Sequence, residues 1–204
     1  MAKIPKLKVN KASRRYGVNL SQSEKSVLVK RNYAPGIHGP KRRNRPSEYS
    51  NQLREKQIAR ITYGIMERQF AKYYKEAMRL KGDSGENLQR LLEQRLDNVV
   101  YRSGFAKTRR QARQMVNHGF FFVNGKKVNI PSFQVKAKDE ITIKDSKADS
   151  KLFTDLEKKL EKYQTPAWLH LDLKKRLIKV VSAPTSQEIE HTFNPRLIIE
   201  YYSR

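Results

Sequence analysis

The sequence predicts an α+β protein in which helical segments enclose an αα-hairpin packed on a small, mostly antiparallel sheet, led by a basic extended N-terminal arm. Three observations carry this expectation. Apolar residues recur at helical spacing over 47–80 and again over 86–116. Short apolar runs flank Asn124-Gly125, a dipeptide that tolerates positive φ at both central positions and so suits a type I′ hairpin turn. Residues 1–46 show no sustained apolar period, and they hold 13 Lys and Arg against the single acid Glu24.

The elements follow in order. Ser47 is placed to cap a helix running to Arg60, with Leu53, Ile58 and Ile61 as a sparse apolar stripe. Gly64 separates it from a second helix, Ile65 to Leu80, where Met66, Phe70, Tyr73, Tyr74 and Ala77 line one side as core. Gly82 ends that helix. From Glu86 to Arg102, Leu88, Leu91, Leu92, Leu96, Val99 and Val100 form one apolar face, read as a single helix closed by Gly104. Thr108-x-x-Gln111 has capping-box spacing and opens the partner helix, which Gly119 closes. Strands are expected at Phe120–Val123, Lys126–Val128, Phe133–Val135 and Glu140–Ile143, with Lys138-Asp139 as the last turn. Residues 144–151 read as a charged loop, Leu152 to Tyr163 as a weakly amphipathic helix, and Leu177 to Val181 as a strand. Asn194-Pro195 starts a terminal helix with Leu197, Ile198 and Tyr201 on one side.

Composition narrows the function. With 44 Lys and Arg against 20 Asp and Glu, the formal charge is +24. A compact chain with that excess repels itself, and a polyanion relieves the repulsion, nucleic acid being the commonest one. No apolar run approaches the roughly 20 residues of a membrane span. Met1 to Asn10 is basic without an apolar core, so it does not read as a secretory signal. The chain has no cysteine, which excludes disulfides and thiolate metal sites and is compatible with a cytoplasmic location. The four histidines, His38, His118, His170 and His191, are scattered, and no H-E-x-x-H, P-loop, G-x-G-x-x-G or G-x-S-x-G occurs. Gly36-Ile37-His38-Gly39 leads into basic residues without a preceding strand and reads as a loop. Acids mostly sit beside bases, as in Glu55-Lys56 and Glu67-Arg68, which suits solvated ion pairs. No catalytic residue, metal ligand or cofactor is expected.

The basic residues suggest where a polyanion would lie. The helix opening Thr108-Arg109-Arg110 presents unpaired N–H groups that suit a phosphate, and Arg109, Arg110 and Arg113 lie within about one turn. No acid falls between Asp97 and Asp139. Lys126 and Lys127 follow the hairpin turn and can track the same backbone. Replacing Arg109 and Arg113 with alanine is expected to weaken binding without unfolding the protein.

The run Leu91-Leu92-Glu93-Gln94-Arg95-Leu96-Asp97-Asn98-Val99-Val100-Tyr101-Arg102, with Gly104-Phe105-Ala106, Arg113-Gln114-Met115-Val116-Asn117-His118-Gly119 and Val123-Asn124-Gly125, resembles the RNA-binding domain named for the ribosomal protein S-four family. Pro35-Gly36-x-His38-Gly39, Gln52-Leu53-Arg54-Glu55-Lys56-Gln57, Tyr63-Gly64-Ile65-Met66-Glu67-Arg68-Gln69-Phe70, Pro166-x-Trp168-Leu169 and Glu200-Tyr201-Tyr202-Ser203-Arg204 extend the likeness essentially end to end. The resemblance implies a basic arm (1–46), a helical domain (47–85, completed by about 185–204) and an inserted RNA-binding domain with its extension (86–184, core about 91–145). It implies a structural protein of the small ribosomal subunit that binds ribosomal RNA early in assembly, at a junction of the 5′ domain. Such a protein touches the neighbouring protein S-five, lies near the messenger RNA entry path, bears on translational accuracy, and has no membrane role. By the same likeness the RNA-contact role extends to Arg14, Arg15, Lys41, Arg42, Arg43, Arg45, Arg54, Lys56, Arg68, Arg95, Arg102 and His118, beside Thr108, Arg109, Arg110, Arg113, Lys126 and Lys127. Many members of the family carry a four-cysteine zinc knuckle; here Asn10 and Ser13 stand where its first pair would be and the second pair is missing, so no zinc is expected. A small RNA-modifying or ribosome-rescue factor built on the same domain, and a basic peripheral membrane protein, remain as alternatives on sequence alone.

Overall fold

The structure is a computed structural model that describes residues 8–20, 26–40, 45–144, 146, 153, 160, 163–172, 175–189 and 192–204. The chain divides into two compact units, one formed by Met1–Leu88 with Glu190–Arg204 and the other by Gln89–Ile189.

The first unit contains α1 (Val9–Tyr16), α2 (Val27–Lys30), α3 (Glu48–Thr62), α4 (Glu67–Arg79), the start of α5 (Ser84–Glu93) and the terminal helix α8 (Pro195–Ser203). The Ser47 hydroxyl caps α3 by accepting from the Ser50 N–H at 3.3 Å. Asn194 caps α8 through the Arg196 N–H at 3.0 Å, with Pro195 in the first helical turn, as its missing N–H allows. Phe70, Tyr73 and Ala77 of α4 are buried, as the aromatic stripe predicts.

Helix α8 packs on α3. Tyr202 stacks on the rings of Phe70 (6.2 Å) and Tyr74 (4.8 Å), and its hydroxyl donates to Glu67 Oε1 at 2.6 Å. The same oxygen accepts from Lys56 Nζ at 2.9 Å, and that ammonium sits 4.6 Å over the Tyr201 ring. A lysine only 4% exposed is tolerable in these surroundings because a carboxylate and an aromatic face replace its water.

The second unit holds the end of α5, then α6 (Leu96–Arg102), α7 (Arg109–Asn117) and an all-antiparallel sheet. Its strands are β1 (Phe121–Val123), β2 (Lys126–Lys127), β3 (Glu140–Ile143), β4 (Leu169–Asp172) and β5 (Leu177–Val180), in spatial order β2-β1-β3-β5-β4. Asn124 (φ 50°) and Gly125 (φ 75°) both take positive φ, so the hairpin turn forms as its dipeptide predicts. One sheet face meets α6 and α7 in a core containing Leu96, Val99, Met115, Val116, Phe121, Ile141, Trp168 and Ile178.

Two expectations fail here for one reason. The helix expected over Glu86–Arg102 is two helices, and the strand expected at Phe133–Val135 is reduced to an isolated bridge between Gln134 and Arg95. Arg95 is extended (φ −67°, ψ 136°), and residues 131–135 cross the break. The Leu96 N–H donates to Phe133 O (2.9 Å), the Asp97 N–H to Pro131 O (3.2 Å) and the Val135 N–H to Gln94 O (2.9 Å). Backbone groups that a continuous helix would pair internally are satisfied by this segment instead. Strand β4 was not expected, since Trp168-Leu169-His170-Leu171 carries no turn signal that separates it from the preceding proline. The helix expected from Leu152 to Tyr163 falls largely outside the described residues, although Phe153 and Leu160 are buried in the core.

The Glu67–Tyr202 pair makes the chain sensitive to pH at both extremes. Burial and the bond to Glu67 push the Tyr202 phenol far above the ordinary tyrosine range. Burial alone would raise the Glu67 carboxyl, but the Tyr202 and Lys56 hydrogen bonds, with the charges of Lys56 and Arg60, outweigh it and hold the group below its ordinary value. As pH falls below the ordinary carboxylate value towards this depressed one, the unfolded chain binds more protons and stability drops. Above about pH 10 the unfolded tyrosine ionises first, and stability drops again. Tyr202→Phe is expected to cost about 1–2 kcal/mol at neutral pH and to remove this residue's share of the alkaline loss. Urea denaturation across pH, followed by circular dichroism, measures both.

Candidate nucleic-acid interface

The second unit places its arginines by burying two acids beneath them. Asp97, 3% exposed, accepts from Arg95 through Nε (3.1 Å) and a terminal nitrogen (2.9 Å), and from Arg113 through Nε (2.8 Å) and a terminal nitrogen (2.7 Å). Glu93, 1% exposed, takes a two-point contact from Arg102, at 3.1 and 3.0 Å, and a bond from Asn98 Nδ2 at 2.7 Å. Asn98 Oδ1 in turn accepts from Arg109 Nε at 2.8 Å, and the Arg109 guanidinium lies 4.5 Å over the Tyr101 ring. The chain Glu93–Asn98–Arg109 thus joins α5, α6 and α7, and Asp97–Arg113 adds a second tie between α6 and α7. Charge-assisted bonds of this geometry are strong, and removing one member strands the others in a dry place.

This arrangement corrects the expectation for Arg109 and Arg113. Arg109 is 8% exposed and the Arg113 side chain 14%, both committed to internal partners. Their removal would loosen the α6–α7 hairpin itself. Arg95, 2% exposed, is likewise a strut, and Arg102 is held by Glu93.

The exposed cations form a different set. Arg110, Gln114 and His118 recur four residues apart along the outer side of α7, and all are exposed. Lys107 is exposed one residue before the cap. The Thr108 hydroxyl accepts from the Gln111 N–H at 3.1 Å, while the Gln111 side chain takes the Lys107 N–H at 2.9 Å. The capping box is thereby shifted by one residue, and the end of α7 is fixed with Lys107 outermost. Lys127 reaches the far end of the helix: its Cε stands 2.6 Å from where a Cβ on Gly119 would be. Lys126 is exposed beside it on β2. The result is a ridge of positive charge from Lys107 along α7 to Lys126 and Lys127, above a scaffold that buries Glu93 and Asp97. Lys107 was missed in the sequence, although its place before an exposed helix N-terminus was the available signal.

In the first unit, Arg54 donates to Tyr16 O at 2.7 Å, and Arg14 donates to Tyr33 O and Ala34 O. Lys56 is spent on Glu67. Arg15, Arg45 and Arg68 are exposed. Lys41, Arg42 and Arg43 lie outside the described residues. The corner where a zinc knuckle would sit does not fit the ion. Ser13, 1% exposed, uses its hydroxyl to accept from the Leu20 N–H at 3.1 Å, and Asn10 is exposed, with no thiolate anywhere in the chain. Among the described residues no group of three or more His, Asp or Glu could hold a metal, and no helix is long and apolar enough to cross a membrane.

Residues 6–93 match the model of the ribosomal protein S4/S9 N-terminal domain, and residues 94–141 match that of the S4 domain. The junction of the two matches falls at the break between α5 and α6. Over most of its length the chain is similar to proteins named small ribosomal subunit protein uS4. It is 48% identical to that of Natranaerobius thermophilus over 89% of this chain and 87% of the relative. It is 45% identical to that of Chlorobium limicola over 96% and 97%, and 48% identical to that of Cutibacterium acnes over 96% of both. The chain belongs to the uS4 family. Within that family frame, α6, α7 and β1–β2 fall in the S4 domain match, and the cationic ridge lies within its residues 94–141.

The buried acids set a prediction. Asp97→Ala would leave Arg95 and Arg113 without their shared partner and should cost on the order of 3–5 kcal/mol. Arg113→Ala, which leaves Asp97 one arginine, should cost less but well over 1 kcal/mol. Arg110→Ala and Lys127→Ala should stay within about 0.5 kcal/mol of the parent. Urea midpoints of the four variants test the order.

Proposed function

We propose that this chain is a structural component of the small ribosomal subunit that acts by binding ribosomal RNA, in the cytoplasm and without catalysis. The observation that carries this reading is the exposed cationic ridge, Lys107, Arg110, Lys126 and Lys127, with His118 on the same line, standing on a scaffold that buries Glu93 and Asp97 against its inner arginines. A ridge of fixed cations spaced along one helix suits the backbone of structured RNA, which proteins recognise mostly through phosphate positions and shape. Family membership and the net charge of +24 support the same partner.

The finer reading is that the protein binds early, at a junction of the 5′ domain, and so nucleates assembly there. In this reading its neighbours include ribosomal protein S-five, and the basic cluster Lys41, Arg42, Arg43 and Arg45 lies near the messenger RNA entry path and bears on accuracy. Support comes from the end-to-end family likeness and from a fold whose binding elements are fixed by internal ion pairs before any partner arrives. A protein with that property can bind naked RNA ahead of others.

If on the order of ten phosphates are neutralised, log affinity for small-subunit ribosomal RNA should fall with log salt at a slope of roughly −7 to −9. The triple variant Lys107→Ala, Arg110→Ala, Lys127→Ala should keep its urea midpoint and flatten that slope by about 2–3. Filter binding of the purified chain to the RNA alone, without other ribosomal proteins, measures both. A slope near zero, or one the triple variant leaves unchanged, would sink the assignment.

A further inference from the structure

The N-terminal segment contains an arginine that the charge pattern groups with its RNA-facing neighbours and the geometry does not. Arg14 lies on α1, where Lys11 and Arg15 are exposed. Its Nε donates to Tyr33 O at 3.1 Å and a terminal nitrogen donates to Ala34 O at 3.3 Å. Its guanidinium lies 4.7 Å over the Tyr33 ring. One planar group therefore holds two successive carbonyls and a ring some 19 to 20 residues along the chain.

The turn beyond is shaped around the same acceptor. A Cβ on Gly39 would overlap the Ala34 carbonyl oxygen, Gly36 takes a φ of 101°, and the Gly39 N–H donates to Gly36 O at 3.1 Å. Only glycine at 39 lets the chain fold back over that carbonyl. The base of the clasp is fixed as well. Ser13 ties to Leu20, and Arg54 of α3 donates to Tyr16 O at the end of α1. Pro35-Gly36-Ile37-His38-Gly39 thus acquires a physical role, which is to close a loop on an arginine.

We propose that Arg14 is a positioning residue for RNA binding, acting by tying α1 to Tyr33 and Ala34 rather than by neutralising a phosphate. This rests on the RNA-binding reading above. The clasp fixes α1, and with it the exposed Lys11, against the segment that leads into the Gly39 turn. Lysine cannot replace it, since a single ammonium cannot span two carbonyls in a plane while stacking on a ring.

The test compares affinity with its salt slope for the full chain on small-subunit ribosomal RNA. Arg14→Ala should weaken binding about fivefold at moderate salt, from the lost ordering bonds, while the slope stays that of the parent. Gly39→Ala should do the same, and Arg14→Lys should behave as Arg14→Ala. Lys11→Ala should instead flatten the slope by about 0.7–0.9, and Lys11→Arg should restore it. Circular dichroism and urea midpoints of each variant separate these effects from global unfolding. If Arg14→Ala flattens the slope as Lys11→Ala does and Arg14→Lys restores it, Arg14 is a phosphate contact and the proposal is overturned; unchanged affinity in Arg14→Ala overturns it as well. A parent slope near zero would be a different failure, that of the RNA-binding reading, and would remove the proposal with it.

Discussion

The second unit depends on the carboxylate of Asp97, buried between two arginines. In a chain of net charge +24 the stretch from Asn98 to Lys138 holds no acid at all, so any carboxylate partner of its cations comes from outside it. Asp97 and Glu93 supply negative charge from beneath, where the low dielectric makes each contact strong. Taking these groups out of water is costly, and the cost is offset only because each carboxylate meets several donors. The arrangement lets α6 and α7 approach closely despite the arginines between them. It also sorts those arginines into struts, such as Arg95 and Arg113, and outward-facing ones, such as Arg110.

That sorting explains how a basic surface can be both dense and rigid. Exposed cations on flexible segments lose entropy when they bind, whereas cations on a helix whose ends and inner face are pinned lose less. Thr108 and Gln111 fix one end of α7, and the Met115 and Val116 side fixes its inner face. Gln114, between Arg110 and His118, adds a neutral donor and acceptor on the same line. The first unit solves a similar problem by different means. Lys56 is buried under Tyr201 and Tyr202 with Glu67 as its partner, so a cation serves there as the seam between α3 and α8.

Much of this was legible in the residues. The caps Ser47, Thr108 and Asn194, the Asn124-Gly125 turn and the aromatic stripe of α4 are local signals, and local physics decided them. The failures share a non-local cause. Nothing within Leu91–Leu96 says that the helix stops at Gln94, because the groups that stop it belong to Pro131, Phe133 and Val135. The site was legible as a region and not as a set of contacts. A run of cations free of acids marks a surface, but the partner of Arg113 lies sixteen residues back, and only the fold reveals that it is an aspartate.

The distinction between strut and contact bears on how any strongly basic chain is read. Alanine at a strut and alanine at a contact both lower affinity, so a loss of binding does not by itself identify which residues meet the polyanion. The two differ in how the loss depends on salt, because a contact releases counterions and a strut does not. By exposure the fold divides the basic residues into two groups. Arg95, Arg109 and Lys56 are buried, and Arg113 is half-buried, against acids, amides or rings, whereas Lys107, Lys126 and Lys127 are exposed. Arg14, in the most basic part of the sequence, shares with the first group only that its donors are turned onto the chain's own groups, here two backbone carbonyls. Charge density along the sequence therefore marks a basic region, and internal acceptors decide which cations within it turn inward.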